Sequence, residues 1–207
     1  MTRFSLLIVM AMLAGCGACN KAKQDISNVK NIAEGYKNIA ENLEKNLTEQ
    51  QEKMNARRSS GDTVAMNYKD LANFLPNLSG YERAGEPKGE SVSMAGFSHS
   101  QTTQKYKDGD KEITITIVDF AGSYQMYSMA MAFFNSNLRI EDDQKLIKSE
   151  NLGISDVNAW SETSKTRDEA KLMIGAGSRF FITIEQRGDK DVISTAKKIP
   201  LGDMGAM

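Results

Sequence analysis

Thirteen of the fifteen aromatic residues of this 207-residue chain lie between Tyr68 and Phe181, so any sizeable hydrophobic core must be built there. The chain before Tyr68 contributes only Phe4 and Tyr36 and cannot form a core of its own. The polar run Arg57-Arg58-Ser59-Ser60-Gly61-Asp62 is the natural break between the two regions. We therefore expect a globular domain over 62–200, followed by a tail over 201–207. Charge narrows the function classes: 26 Lys+Arg against 27 Asp+Glu give a formal net charge of -1, without the cationic excess needed to displace counterions from nucleic acid. The two cysteines, Cys16 and Cys19, both precede this domain, so it is not a disulfide scaffold.

Within the domain, Asp108-Gly109 precedes Ile113, Ile115 and Ile117, which alternate with Thr114 and Thr116. This is the pattern of a tight hairpin entering a half-buried strand. Strands are also expected at Val92 to Phe97, Gln101 to Tyr106, Lys145 to Ser149, Val157 to Thr163, Glu169 to Ile174 and Arg179 to Gln186. Ser79 to Ser91, with three glycines and Pro87, reads as a loop. A short amphipathic helix is expected around Tyr68, Leu71, Phe74 and Leu75, stopping at Pro76. A second should run from Ser123 to about Asn137, and a last one from Asp189 or Asp191, stopping at Pro200. The expected class is α+β: a twisted antiparallel sheet with helices on one face, preceded by a long N-terminal helix.

The first residues have a different purpose. Arg3 supplies a positive charge, Phe4 to Leu13 form an apolar run broken only by Ser5, and small residues follow, as in an export signal. The run is shorter than the ~20 apolar residues a membrane-spanning helix needs. Leu13-Ala14-Gly15-Cys16 resembles the lipobox of bacterial lipoproteins. That resemblance implies a signal peptide over 1–15 and acylation of Cys16, for example with palmitate, as the first residue of the mature chain. Two or more acyl chains would hold such a protein stably on a membrane. In that family an aspartate after the cysteine marks inner-membrane retention. Gly17 stands here, so the resemblance implies the outer membrane, facing the periplasm. Cys19 would then lack a partner within the chain, leaving either a free thiol or an intermolecular disulfide.

Residues 16–61 read as a lipidated tether and helical stalk. From Ala22 to Ala56 there is no proline, and Ile26, Ala33, Ala40, Leu47 and Met54 fall at heptad position a, with Val29, Tyr36, Leu43 and Gln50 at d. A continuous helix of that length would reach roughly 50 Å. Three readings stand: a coiled coil that self-associates through 22–56, a helix folded back on its own domain, or a loose tether. The arrangement distantly resembles the murein-linked lipoprotein of enteric bacteria. It departs from that family in ending at Met207 rather than a basic residue, so no covalent wall link is expected.

The usual signatures of catalysis are missing from the sequence. His99 is the sole histidine and sits between Ser98 and Ser100, but neighbours on a strand point to opposite faces and cannot act as nucleophile and base. Asp108-Gly109-Asp110 with Glu112, and Glu141-Asp142-Asp143, lack the spacing of a calcium loop. Gly175-Ala176-Gly177-Ser178 reads as a turn rather than a phosphate loop. No metal or cofactor is expected. Met126, Met129 and Met131 with Tyr127, Phe133 and Phe134 form a Met-rich, aromatic segment. It reads first as a central helix buried all round, and alternatively as a groove for a hydrophobic ligand or envelope protein.

Leu71-Ala72-Asn73-Phe74-Leu75-Pro76, Gly80-Tyr81 and Met94-Ala95-Gly96-Phe97 resemble bacterial envelope domains, a likeness that implies no activity. The expectation is a non-enzymatic, membrane-anchored envelope lipoprotein with a periplasm-facing binding domain. The alternatives are an envelope hydrolase using carboxylates that spacing does not reveal, and an oligomeric structural stalk protein.

Overall fold

The fold is that of a computed structural model describing residues 48, 51–53, 55–94, 97–121, 126–127, 131 and 139–207. All belong to the 39–207 unit of the chain. The described residues form one antiparallel sheet of nine strands: β1 (Glu82–Arg83), β2 (Lys88–Met94), β3 (Phe97–Asp108), β4 (Lys111–Asp119), β5 (Arg139–Glu141), β6 (Lys145–Glu150), β7 (Val157–Ser164), β8 (Glu169–Ala176) and β9 (Phe180–Arg187). Their order is β1-β3-β4-β9-β8-β7-β6-β5, with β2 also pairing with β3. β5 to β9 form a meander whose last strand lies against β4.

The expected hairpin is present. Gly109 has φ 57, the left-handed conformation that a two-residue turn needs, and Asp108 pairs with Lys111 across it. Alternation then places Ile113, Ile115 and Ile117 on the inner face of β4. Register aligns Ile115 with Ile184 and Leu172, and Ile117 with Ile182 and Ile174, so these residues form continuous rows across three strands. All are essentially excluded from solvent. Each such side chain contributes about 1.5–3 kcal/mol through burial, and the rows are the centre of the core.

Strand assignments differ from expectation in several places, and β5 is a strand where none is expected. Ser79 to Ser91, expected as a loop, contains β1 and the start of β2. β3 runs unbroken through Ser98-His99-Ser100, where a gap between strands was expected. The inner face of β3 is polar, and its alternation is therefore invisible to hydropathy: Ser98, Ser100, Thr102 and Gln104 are buried along with Tyr106. The chain that lies over them accounts for part of this. Ser98 Oγ accepts the Ala65 amide at 2.8 Å, Ser91 Oγ accepts the Tyr68 amide at 2.9 Å, and Tyr106 donates to the Pro76 carbonyl at 2.8 Å. Residues 65–76 thus form a strap over β3.

Helical turns complete the cover of the inner face. Helix α1 (Tyr68–Leu71), capped by Asn67 and continued by a 3-10 turn (Ala72–Phe74), buries Leu71, and Leu75 follows it into the core before Pro76, as expected. Helix α2 (Val192–Ala196) begins at Asp191, whose carboxylate accepts the Ser194 amide at 3.0 Å. Such caps typically contribute ~1 kcal/mol. Hydrogen bonds from Ser194 also hold the Asp191 carboxyl below its ordinary pKa. Residues 201–207 are not a tail: Pro200 is the N-cap of helix α3 (Leu201–Ala206), which buries Leu201 and Met204 in the same core.

The expectation of helices on one face is corrected. Residues 126–127 and 131 are helical, and Tyr127 and Met131 are buried against Phe120, Trp160, Met173 and Phe181. Trp160, Met173 and Phe181 alternate with the inner-face residues Ala159, Leu172 and Phe180, so this second cluster lies on the opposite face. A sheet with apolar side chains on both faces needs cover on both. The cover is also two-sided in itself, because Met126 is exposed while Tyr127 and Met131 are buried, so the segment is not buried all round. Most of the long helix expected over 22–56 lies outside the described residues; Thr48 and residues 51–53 and 55–59 are helical.

Candidate functional site: the outer face of the sheet

The sheet's outer face changes character along its strands. At one end, Phe181 and Val118 are paired in register, and the next row carries Trp160, Met173, Thr183 and Thr116. Tyr127 and Met131 cover part of this end. Burial raises the pKa of the Tyr127 hydroxyl well above the ordinary tyrosine value, which keeps it neutral. Its ring and that of Phe120 are 6.4 Å apart between centroids and tilted by 70°, an edge-to-face arrangement. The Trp160 indole N–H is shielded from solvent and meets no acceptor among the described residues.

The other end is a lattice of alternating charge. Register aligns Glu162, Lys171, Glu185, Thr114 and Lys105 in one row, and Glu169, Arg187, Glu112 and Lys107 in the next. Ion pairs here include Lys171–Glu185 at 2.8 Å, Arg167–Glu169 at 3.3 Å, Arg187–Glu169 at 3.4 Å and Lys105–Glu112 at 3.6 Å, with Lys145–Glu162 at 3.5 Å beside them. Each exposed pair contributes only ~0–1 kcal/mol. Collectively they balance charge across a shallow groove of about 250 Å³ lined by Glu112, Thr114, Glu162, Lys171, Glu185 and Arg187, among others. Every glutamate in it has a cationic neighbour, so the arrangement suits contact with a polar, mixed-charge surface better than carboxylate catalysis.

Among the described residues, the most buried charged group lies at the end of β4. Asp119 is fully buried and occupies the inner-face position that follows Ile113, Ile115 and Ile117. Arg179 clasps both its oxygens, Nε to Oδ1 at 2.9 Å and NH2 to Oδ2 at 2.8 Å. The Met66 and Ala121 amides donate to the same carboxylate. Arg179 also donates through NH1 to Asp62 at 3.0 Å. Burial acts to lower the arginine's pKa, but hydrogen bonds and charge from Asp119, then from Asp62, outweigh it and raise the value. The guanidinium therefore stays charged and ties Asp119 to Asp62. Sequence reasoning missed it, although an aspartate in phase with three buried isoleucines was a usable signal.

The residues singled out in the sequence are scattered across the fold. Cys16 and Cys19 lie outside the described residues. Ser98 and Ser100 point into the core, whereas His99, paired with Val92, lies on the other face of β3, which separates the serines from the histidine. Asp108, Gly109 and Asp110 make the β3–β4 turn, and Glu112 is engaged by Lys105 and Lys107. Lys165 and Arg139 hold the Glu141 carboxyl below its ordinary pKa, and the Lys145 and Gln144 amides do the same for Asp142, so both favour the charged form. A general acid needs a shift in the opposite direction. Gly175 and Ala176 end β8, while Gly177 and Ser178 turn the chain into β9, as expected for that motif. Among the described residues no group of three or more His, Cys, Asp or Glu is placed to hold a metal ion, and no helix is long and apolar enough to cross a membrane. The chain matches no protein-family model and no curated protein sequence.

Proposed function

We propose that the protein is a bacterial envelope lipoprotein, acylated at Cys16 and facing the periplasm from the outer membrane. Its sheet domain serves contact with another envelope molecule rather than catalysis. The observation that carries the reading is the ordered N-terminal series of charge, apolar run and Leu13-Ala14-Gly15-Cys16 ahead of a domain with its own core. The paired carboxylates of the outer face favour the binding role over the hydrolase. The balanced lattice of charge is the proposed contact surface, because it offers complementary groups of both signs to a polar partner.

Growth with an alkyne-tagged palmitate analogue tests the anchor. Wild-type protein should take up label and fractionate with membranes, whereas Cys16→Ser should do neither. An unlabelled or soluble wild-type protein removes the proposal. The contact surface is tested separately, by cross-linking the anchored protein in intact envelopes and comparing it with a Lys171→Glu/Arg187→Glu variant. Loss of the cross-linked product is expected, and an unchanged product places the contact elsewhere.

A further inference from the structure

We propose that the helical residues 51–53 and 55–59, with the turn that follows to Asp62, form a salt-sensitive latch docked onto the turns β6–β7 and β8–β9. Lys53 and Arg57 are four residues apart and therefore share one helix face. Lys53 Nζ pairs with the Asp156 carboxylate in the β6–β7 connection. Arg57 reaches the β8–β9 turn, where its NH1 donates to the Ser178 carbonyl at 3.2 Å. Its Nε donates at 2.8 Å to Asp62, and Asp62 in turn receives Arg179 at 3.0 Å. The helix end is thereby linked through one aspartate to the buried Asp119 clasp.

The receiving turns are unusual. Asp156 and Ser178 have φ of 56 and 53, and they are the described non-glycine residues in the left-handed region. That conformation costs free energy for any residue with a Cβ and persists only where its surroundings hold it. The Asp156 carbonyl accepts the Gly177 amide at 3.1 Å, which ties the two turns into one platform. Both strained residues are the ones the helix contacts. The Asp156 side chain is directed to Lys53, and the Ser178 carbonyl to Arg57.

The contacts divide in strength along the helix. Lys53 and Asp156 are each about half exposed, at 49% and 50%, so salt screens them readily. The Arg57 side chain is 13% exposed and is screened much less. The helix can therefore peel from its N-terminal side while Arg57 remains docked, and it releases fully only when both contacts are lost. Release lengthens the span between the domain and whatever precedes residue 48. The latch does not depend on acylation of Cys16.

Hydrogen exchange of the full-length protein in detergent micelles tests the latch, read by mass spectrometry on peptides covering 55–59 and on peptides from β4 and β9. Lys53→Glu combined with Arg57→Met should accelerate exchange at 55–59 about tenfold and leave the strands unchanged. Wild-type protein in 1 M salt should show a smaller acceleration at the same peptides. Asp156→Asn keeps a residue that tolerates the left-handed conformation, and in that background Lys53→Glu should lose most of its effect. Unchanged exchange at 55–59, equal acceleration in the strands, or a Lys53→Glu effect that ignores Asp156→Asn would overturn the proposal.

Discussion

Replacing Arg179 with methionine is expected to lower the stability of the domain by about 3–5 kcal/mol, because Asp119 would remain buried without its counter-ion. In a domain of this size that corresponds to a fall in Tm of roughly 10 °C, measured by thermal melting followed by circular dichroism. Arg179→Lys should recover little. A single ammonium cannot reproduce two parallel bonds to Asp119 together with a third contact to Asp62. Adding Asp119→Leu to Arg179→Met should restore part of the loss by removing the stranded charge. Recovery will be incomplete, since the Met66 and Ala121 amides also lose their acceptor. A change below ~1 kcal/mol in Arg179→Met would mean that water reaches Asp119 and that the clasp is not a buried pair.

Phe180→Ala should be comparably severe, at about 3–5 kcal/mol, since the side chain is fully buried and its removal leaves a cavity as well as lost transfer energy. Phe180 follows Arg179 in the chain and bears on the same packing. Its ring lies 6.1 Å from Phe74 of the strap, and the Arg179 guanidinium lies 5.1 Å from the ring centroid. The two substitutions should therefore be non-additive, with the double variant losing ~0.5–2 kcal/mol less than the sum. Denaturant unfolding of the four proteins in the cycle measures this. Additive losses would show that ring and clasp stabilise the domain independently.

What the sequence reveals depends on whether a residue's polarity matches its burial. Ile113, Ile115 and Ile117 after Asp108-Gly109 specify both the turn and the inward face, and β4 forms as read. The strands β6 to β9 are also legible, because inner positions such as Leu172 and Ile174 or Ile182 and Ile184 are apolar, whereas β5, exposed throughout, gives no such signal. β3 defeats the same reading. Its buried serines, threonine and glutamine carry no hydropathy signal, and the strap that bonds Ser98 is brought there by chain more than thirty residues away in sequence. Trp160, Met173 and Phe181 are individually unremarkable, and only register across β7, β8 and β9 gathers them into a second apolar cluster. The outer-face lattice is likewise a product of register, since Glu162 and Lys105 share a row although long stretches of chain separate them. Arg179 and Asp119 lie 60 residues apart, and neither identifies its partner in the sequence.

The strand order also separates local from long-range pairing. The β3–β4 hairpin and the β5–β9 meander each pair neighbours along the chain, so both can form with little loss of chain entropy. Joining them is different: Asp119 and Phe180 pair across β4 and β9 although about sixty residues separate them, so this is the long-range contact of the sheet and is expected to form cooperatively along the β4–β9 ladder. Arg179 and Asp119 lie at the end of that ladder, so their bond fastens the β3–β4 hairpin to the meander.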